Sequence, residues 1–217
     1  MAGFELPYTA EVYFAAMAEY HVALFPAVVV AALLPVVALA LALRPPTGRE
    51  GLSARIVGAL LAAVWVWVGA VHQLQVMAGL NFMAPVYGIA WIVQGALIVV
   101  TCTLLGRVRF RVAGDVRGWI GLALALIGLV AYPLAALALG ADWRGLPLAG
   151  TAPDPTAVFT AGLLLTARER PPLHLFVLPL GWAGVAAVSA YLIDFPLDYV
   201  VPAAVLAAAA LAIRARE

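Results

Sequence analysis

The sequence predicts an all-α, polytopic integral membrane bundle of seven transmembrane helices. Its N-terminus lies outside, its C-terminus is cytoplasmic, and its fifth helix is short. Three observations carry this prediction. Hydrophobic residues make up 66% of the 217 residues and charged residues only 11%, against about 25% charged in a soluble domain. All 12 basic residues are arginine, and all but Arg144 fall in four clusters: Arg44, Arg49 and Arg55; Arg107, Arg109, Arg111 and Arg117; Arg168 and Arg170; Arg214 and Arg216. Long runs of Val, Leu, Ala, Ile, Phe and Trp separate the clusters. Basic clusters at every second junction between apolar runs are what arginine-bearing loops retained in the cytoplasm produce.

About 20 helical residues cross roughly 30 Å of hydrocarbon. Counting outward from the arginines places spans at about 21–43, 56–79, 85–105, 118–140, 155–167, 172–193 and 196–213. Each element follows from its residues. Before the first span, Phe4, Glu5, Tyr8, Glu11, Tyr13, Phe14, Glu19 and Tyr20 suit a short helix over 1–20 at the outer interface. Pro26 and Pro35 kink the first span, as Pro133 and Pro179 do the fourth and sixth. On the second span, Trp65, Gly69, His72, Gln75 and Gly79 share a face at helical spacing, and Gly58, Ala62 and Gly69 permit close helix contact. The tight turn Leu80–Pro85 packs the third span beside the second, with Tyr87, Trp91, Gln94 and Thr101 on one side. The fourth span carries Tyr132, and Ala183 and Ala187 offer the sixth a close contact. The chain 1–217 reads as a single transmembrane domain.

The fifth span departs from the pattern. Pro155–Ala167 is only about 20 Å of helix at 1.5 Å per residue. The segment before it, 145–154, holds proline and glycine but little charge, so it dips into the bilayer as non-helical chain. Asp154 reads as the N-cap and Pro155 as the first helical residue. Such backbone survives at membrane depth only when buried in protein or lining a wet cavity, and short or interrupted spans point to binding sites.

Depth locates a candidate site. Counted from the nearest inner arginine, Asp154 lies about 21 Å up, His72 about 25 Å, Gln94 about 20 Å and Tyr132 about 22 Å. Polar groups from four spans thus share one slab in the outer half of the membrane. The expected pocket opens outward between spans two, three and five. His72 and Asp154 form its ionisable pair, with Thr156, Gln94, Tyr87, Gln75 and Tyr132 beside them. An imidazole near a carboxylate can exchange protons. The plainer reading has Asp154 capping a helix, His72 hydrogen-bonded in the core, and Gln94, Tyr132 and Thr156 bonding between helices.

Other chemistries find less material. A retinal Schiff base needs a lysine, and the chain has none. Cys102 is alone, which excludes an internal disulfide or a cysteine metal cluster. The N-terminus lacks the basic region and cleavage site of a signal peptide. There is no phosphate-binding glycine loop and no nucleophile elbow. Glu19, His21, Asp154 and His72 offer N and O ligands to a divalent metal, but not at metalloprotease spacing, and His21, His72 and His174 lie at unequal depths for a bis-histidine haem. No cofactor is therefore expected, enzyme activity is disfavoured, and nucleic-acid binding has no support.

The run Trp65-Val66-Trp67-Val68-Gly69-Ala70-Val71-His72, Leu80-Asn81 with Pro85, Arg117-Gly118-Trp119, and Pro155-Thr156-Ala157-Val158-Phe159-Thr160-Ala161-Gly162 together resemble an uncharacterised family of bacterial multi-pass membrane proteins, a domain of unknown function. The resemblance covers nearly the whole chain. It implies the fold and the bacterial inner membrane, and it transfers no activity. The function expected is a small-solute transporter or permease-like protein, taking a small polar or cationic solute through the outward-facing pocket. The rival readings are a non-catalytic subunit docked on a membrane-protein partner or on a second copy, and a membrane-embedded metal or haem redox protein.

Overall fold

The computed structural model describes residues 9–214 except Ala113 and Asp194. Expectations placed on Phe4, Glu5, Tyr8 and Arg216 lie outside the described residues. The described chain is helical throughout, with no β-strand. Its α-helices are α1 (Ala10–Ala23), α2 (Ala27–Leu43), α3 (Glu50–Trp67), α4 (Ala84–Ile98), α5 (Val116–Leu126), α6 (Tyr132–Ala138), α7 (Pro153–Leu165), α8 (Val177–Leu192) and α9 (Val200–Arg214). Five rods are long and apolar enough to cross a membrane: Glu50–Gly79, Ala84–Leu104, Val116–Ala138, Leu173–Leu192 and Pro196–Arg214. The α1–α2 pair, bent by 98°, makes up to six.

The bend refines the expected first span. α1 runs on to Ala23, and the turn at Leu24–Pro26 redirects the chain, so the crossing helix starts at Ala27 instead of near residue 21. Proline has no N–H to continue a helical ladder, so Pro26 is a natural place to break it. Pro35 is accommodated within α2, buried against the bundle.

Three of the rods change pitch. Val68–Val76, Val99–Leu104 and Ile127–Ala131 are π-helical. A π-helix bonds i to i+5, so each turn holds more residues than an α-turn and rotates the side chains that follow. These segments place or immediately precede His72, Thr101 and Tyr132, three polar groups buried between helices.

The first three arginine clusters converge on one end of the bundle. Arg55 donates to the Thr103 and Leu104 carbonyls at 2.6 and 2.8 Å. Arg117 donates to the Ala167 carbonyl at 2.7 Å, and Arg109 pairs with Glu169 at 3.4 Å. Arg44 ends α2 close in sequence to this cluster. At the opposite end, His21 of α1 bonds the Arg144 carbonyl at 2.9 Å, holding α1 to the 143–145 turn.

α7 is the axis of the molecule. All its residues but Asp154 are buried, the mark of a helix enclosed by protein on every side. It packs closely against α5 and α9. Glycines make the approach to α5 possible: a Cβ on Gly121 would lie 2.7 Å from the Gly162 carbonyl, and one on Gly128 would lie 2.6 Å from the Pro155 carbonyl. The non-helical chain leading into α7 is largely buried, and Gly150 turns it at φ +93° against α2.

The outer surface is apolar. Val29, Val30, Leu33, Val36 and Val37 on α2, Val86, Ile89 and Val93 on α4, and Leu134 and Leu137 on α6 are exposed. In water so extensive an apolar face would drive association; hydrocarbon accepts it without cost.

Candidate functional site

A cavity of about 50 Å³ lies at the end of the bundle opposite the first three arginine clusters. Six stretches of chain close it: Tyr13 and Phe14 of α1; His72, Gln73 and Met77; Asn81 and Tyr87; Tyr132; Pro153 and Asp154; and the α8–α9 region from Trp182 to Asp198. The expectation had spans two, three and five as its walls. The fourth, sixth and seventh also contribute, because α7 is central and its first turn is ringed by all of them.

His72 sits in the π-helical part of its rod and is 1% exposed. Tyr13 and Tyr20 meet its ring edge-on at 6.3 and 6.1 Å. Neither ring nitrogen has a hydrogen-bond partner among the described residues. A buried polar group without a partner is costly, so it marks a place where water or a ligand belongs.

Asp154 was expected to cap its helix. The helix instead begins two residues earlier, at Pro153, with Ala152 in the cap position and no side-chain cap bond. Two prolines in the first turn explain the shift, since neither has an N–H needing a cap. The Asp154 carboxylate is thereby free to face the cavity, where the Trp182 indole N–H donates to it at 2.8 Å. An aromatic stack fixes that indole. Trp182 meets Trp91 edge-on at 5.4 Å, and Trp91 stacks on Trp65 at 3.9 Å. Trp65 in turn donates to the Thr160 hydroxyl at 2.9 Å.

Tyr132 joins two acids. Its hydroxyl donates to Asp198 at 2.5 Å and also faces the Asp154 carboxylate. The two carboxylates interact electrostatically, and no arginine lines the cavity. Both carboxylates therefore lack a cationic partner among the described residues.

Of the residues expected at the pocket, His72, Asp154, Tyr87 and Tyr132 line this cavity together. Thr156, Gln94 and Gln75 do not line it. Thr156 accepts from the Gly150 N–H at 2.8 Å and donates to the Ala152 carbonyl, stitching the buried loop to α7. Gln94 donates to the Leu175 carbonyl at 2.8 Å. Gln75 is exposed and bonds Ala70 of its own helix. The π-helical pitch accounts for the last case, since the wider turn sends Gln73 to the cavity in place of Gln75.

Sequence reasoning missed Asp198 and Trp182. The usable signal was an acid two residues past Phe195-Pro196, at the mouth of an apolar run. Among the described residues, no three His, Cys, Asp or Glu side chains are grouped to hold a metal ion.

No curated protein and no solved structure matches the chain. A family described as of unknown function, DUF6064, matches residues 10–217. The apolar rods, the polar cavity set among them and this match converge, and the chain belongs to that family.

Proposed function

We propose that the protein is a seven-crossing permease-like protein of the bacterial inner membrane, N-terminus outside and C-terminus cytoplasmic, which takes a small cation into the outward-facing cavity and passes it across the bilayer. The seven crossings are α2, the five long rods and α7, whose buried lead-in supplies the length its helix lacks. α1 rests at the outer interface. Grouping of arginines at one end supports this direction through the positive-inside rule.

One observation carries the cation: two carboxylates face one intramembrane cavity that no arginine lines. Charge within a membrane is expensive, and such residues pair, face water or mark an ion pathway. Size narrows the choice. A water needs roughly 10–15 Å³ of cavity, so 50 Å³ holds a few waters or one small ion with part of its shell.

Purified protein in proteoliposomes provides the test, with sodium, potassium and ammonium gradients applied in turn. The expected result is flux of at least one cation above that of empty liposomes, reduced about tenfold or more by Asp154→Asn or His72→Ala; a charge partner lost from a buried site costs about 2–5 kcal/mol. Flux equal to that of empty liposomes for every cation would overturn the proposal.

A further inference from the structure

We infer that a monovalent cation entering this cavity displaces one proton held by the Asp154–Tyr132–Asp198 assembly. The inference rests on the cation reading above and adds what the cation exchanges for.

Counting protons leads to it. The Tyr132 hydroxyl has one hydrogen and gives it to Asp198. Asp154 lies against the same hydroxyl, and one hydroxyl hydrogen cannot serve both acids at once. Both acids bond the hydroxyl together when one of the two is a carboxylic acid that donates to its oxygen, so the three groups share one extra proton. Charge leads to the same state. Two ionised carboxylates sharing a site without a counter-ion strongly disfavour each other, and burial adds several kcal/mol per ion. The empty cavity therefore holds one acid and one carboxylate.

A cation removes the need for that proton. The carboxylic O–H breaks, its electron pair stays on the oxygen, the cation binds the carboxylates, and the proton leaves. Two carboxylates and one cation carry the same net charge as one acid and one carboxylate, so the exchange is electroneutral at the site. A monovalent ion replaces the one proton charge for charge and leaves the net charge of the site as it was, so the ion proposed is monovalent.

The surroundings fit. The titratable groups lining the cavity are Tyr13, Tyr87, Tyr132, His72, Asp154 and Asp198, with His21 behind His72. His72 is the basic group among those lining residues, and both its nitrogens lack partners among the described residues. It is an independent sign that the cavity holds something besides protein, and it offers a departing proton an acceptor.

Isothermal titration calorimetry on the full chain in lipid nanodiscs tests this. Sodium, potassium and ammonium chlorides are titrated at pH 7 in two buffers of different ionisation enthalpy. The expected result is saturable binding of at least one salt, with about one proton released per cation. In wild type, the apparent Kd should also rise about tenfold for each unit the pH is lowered through the acidic range, as one linked proton requires. That readout needs no variant. Asp154→Asn and Asp198→Asn, checked for folding by gel filtration and thermal unfolding, should each abolish proton release. Cation binding with no proton released and no pH dependence overturns the exchange but leaves the cation reading intact. No binding of any salt overturns both.

Discussion

Trp182 holds Asp154 at one oxygen through a single indole N–H, and the stack on Trp91 and Trp65 limits how that indole can move. Trp182→Phe keeps an aromatic ring and removes the donor. A buried acceptor left unpaired costs about 1–3 kcal/mol, so thermal unfolding in detergent should show a destabilisation of that order. Cation affinity should change with it, because the carboxylate is re-solvated. Gln94→Ala separates structure from function: it should destabilise by a similar amount through the lost bond to Leu175, yet leave the fitted cation Kd unchanged. A Kd change for Gln94→Ala matching that of Asp154→Asn would place Gln94 in the site after all.

The same residues delimit what was legible. Counting from the arginines brought His72, Asp154, Gln94 and Tyr132 to one level; His72, Asp154 and Tyr132 line one cavity with Tyr87, whereas Gln94 bonds the Leu175 carbonyl outside it. Level depends only on the rise along a helix, which π-turns alter little. Facing depends on rotation, and the π-turn across Val68–Val76 put Gln73 where α-spacing had put Gln75. Asp198 offered only its place at the mouth of an apolar run, and Trp182 offered no signal, because their roles come from the way α8 and α9 close over α7.

Among the elements, α7 decides most. It is too short to span hydrocarbon alone, yet its burial on all sides and its buried lead-in, tied to it through Thr156, make it the member the others pack around. Apolar composition and proline spacing announced its shortness. Its central position did not follow from them, since a chain in which nearly every run is apolar offers no amphipathic contrast to say which helix is inside. The packing predicts a sharp local penalty. In Gly128→Ala the new methyl meets backbone atoms of Pro155 and Phe159, which cannot yield as a side-chain end would. Overpacking of this kind costs about 1–3 kcal/mol. A lower unfolding temperature for Gly128→Ala, with no loss for Gly184→Ala where a methyl meets open space, would match.

For the molecule as a whole, sidedness is the prediction. Arginine loops gathered at one end, a polar cavity at the other and apolar flanks between them describe one orientation in a bilayer. With Cys102 replaced by serine, single cysteines at Thr47 and Phe82 should label from opposite sides of sealed inner-membrane vesicles. The proposed topology puts Thr47 on the cytoplasmic side and Phe82 on the outer side. Labelling of both from one side would contradict the topology.

The most direct test of the central claim is a structure of the protein crystallised with rubidium chloride, with data collected at the rubidium absorption edge. An anomalous peak in the cavity, bounded by the carboxylates of Asp154 and Asp198 and beside Tyr132, is the predicted result. A cavity without such a peak at saturating rubidium, or carboxylates directed away from each other toward lipid, would contradict it.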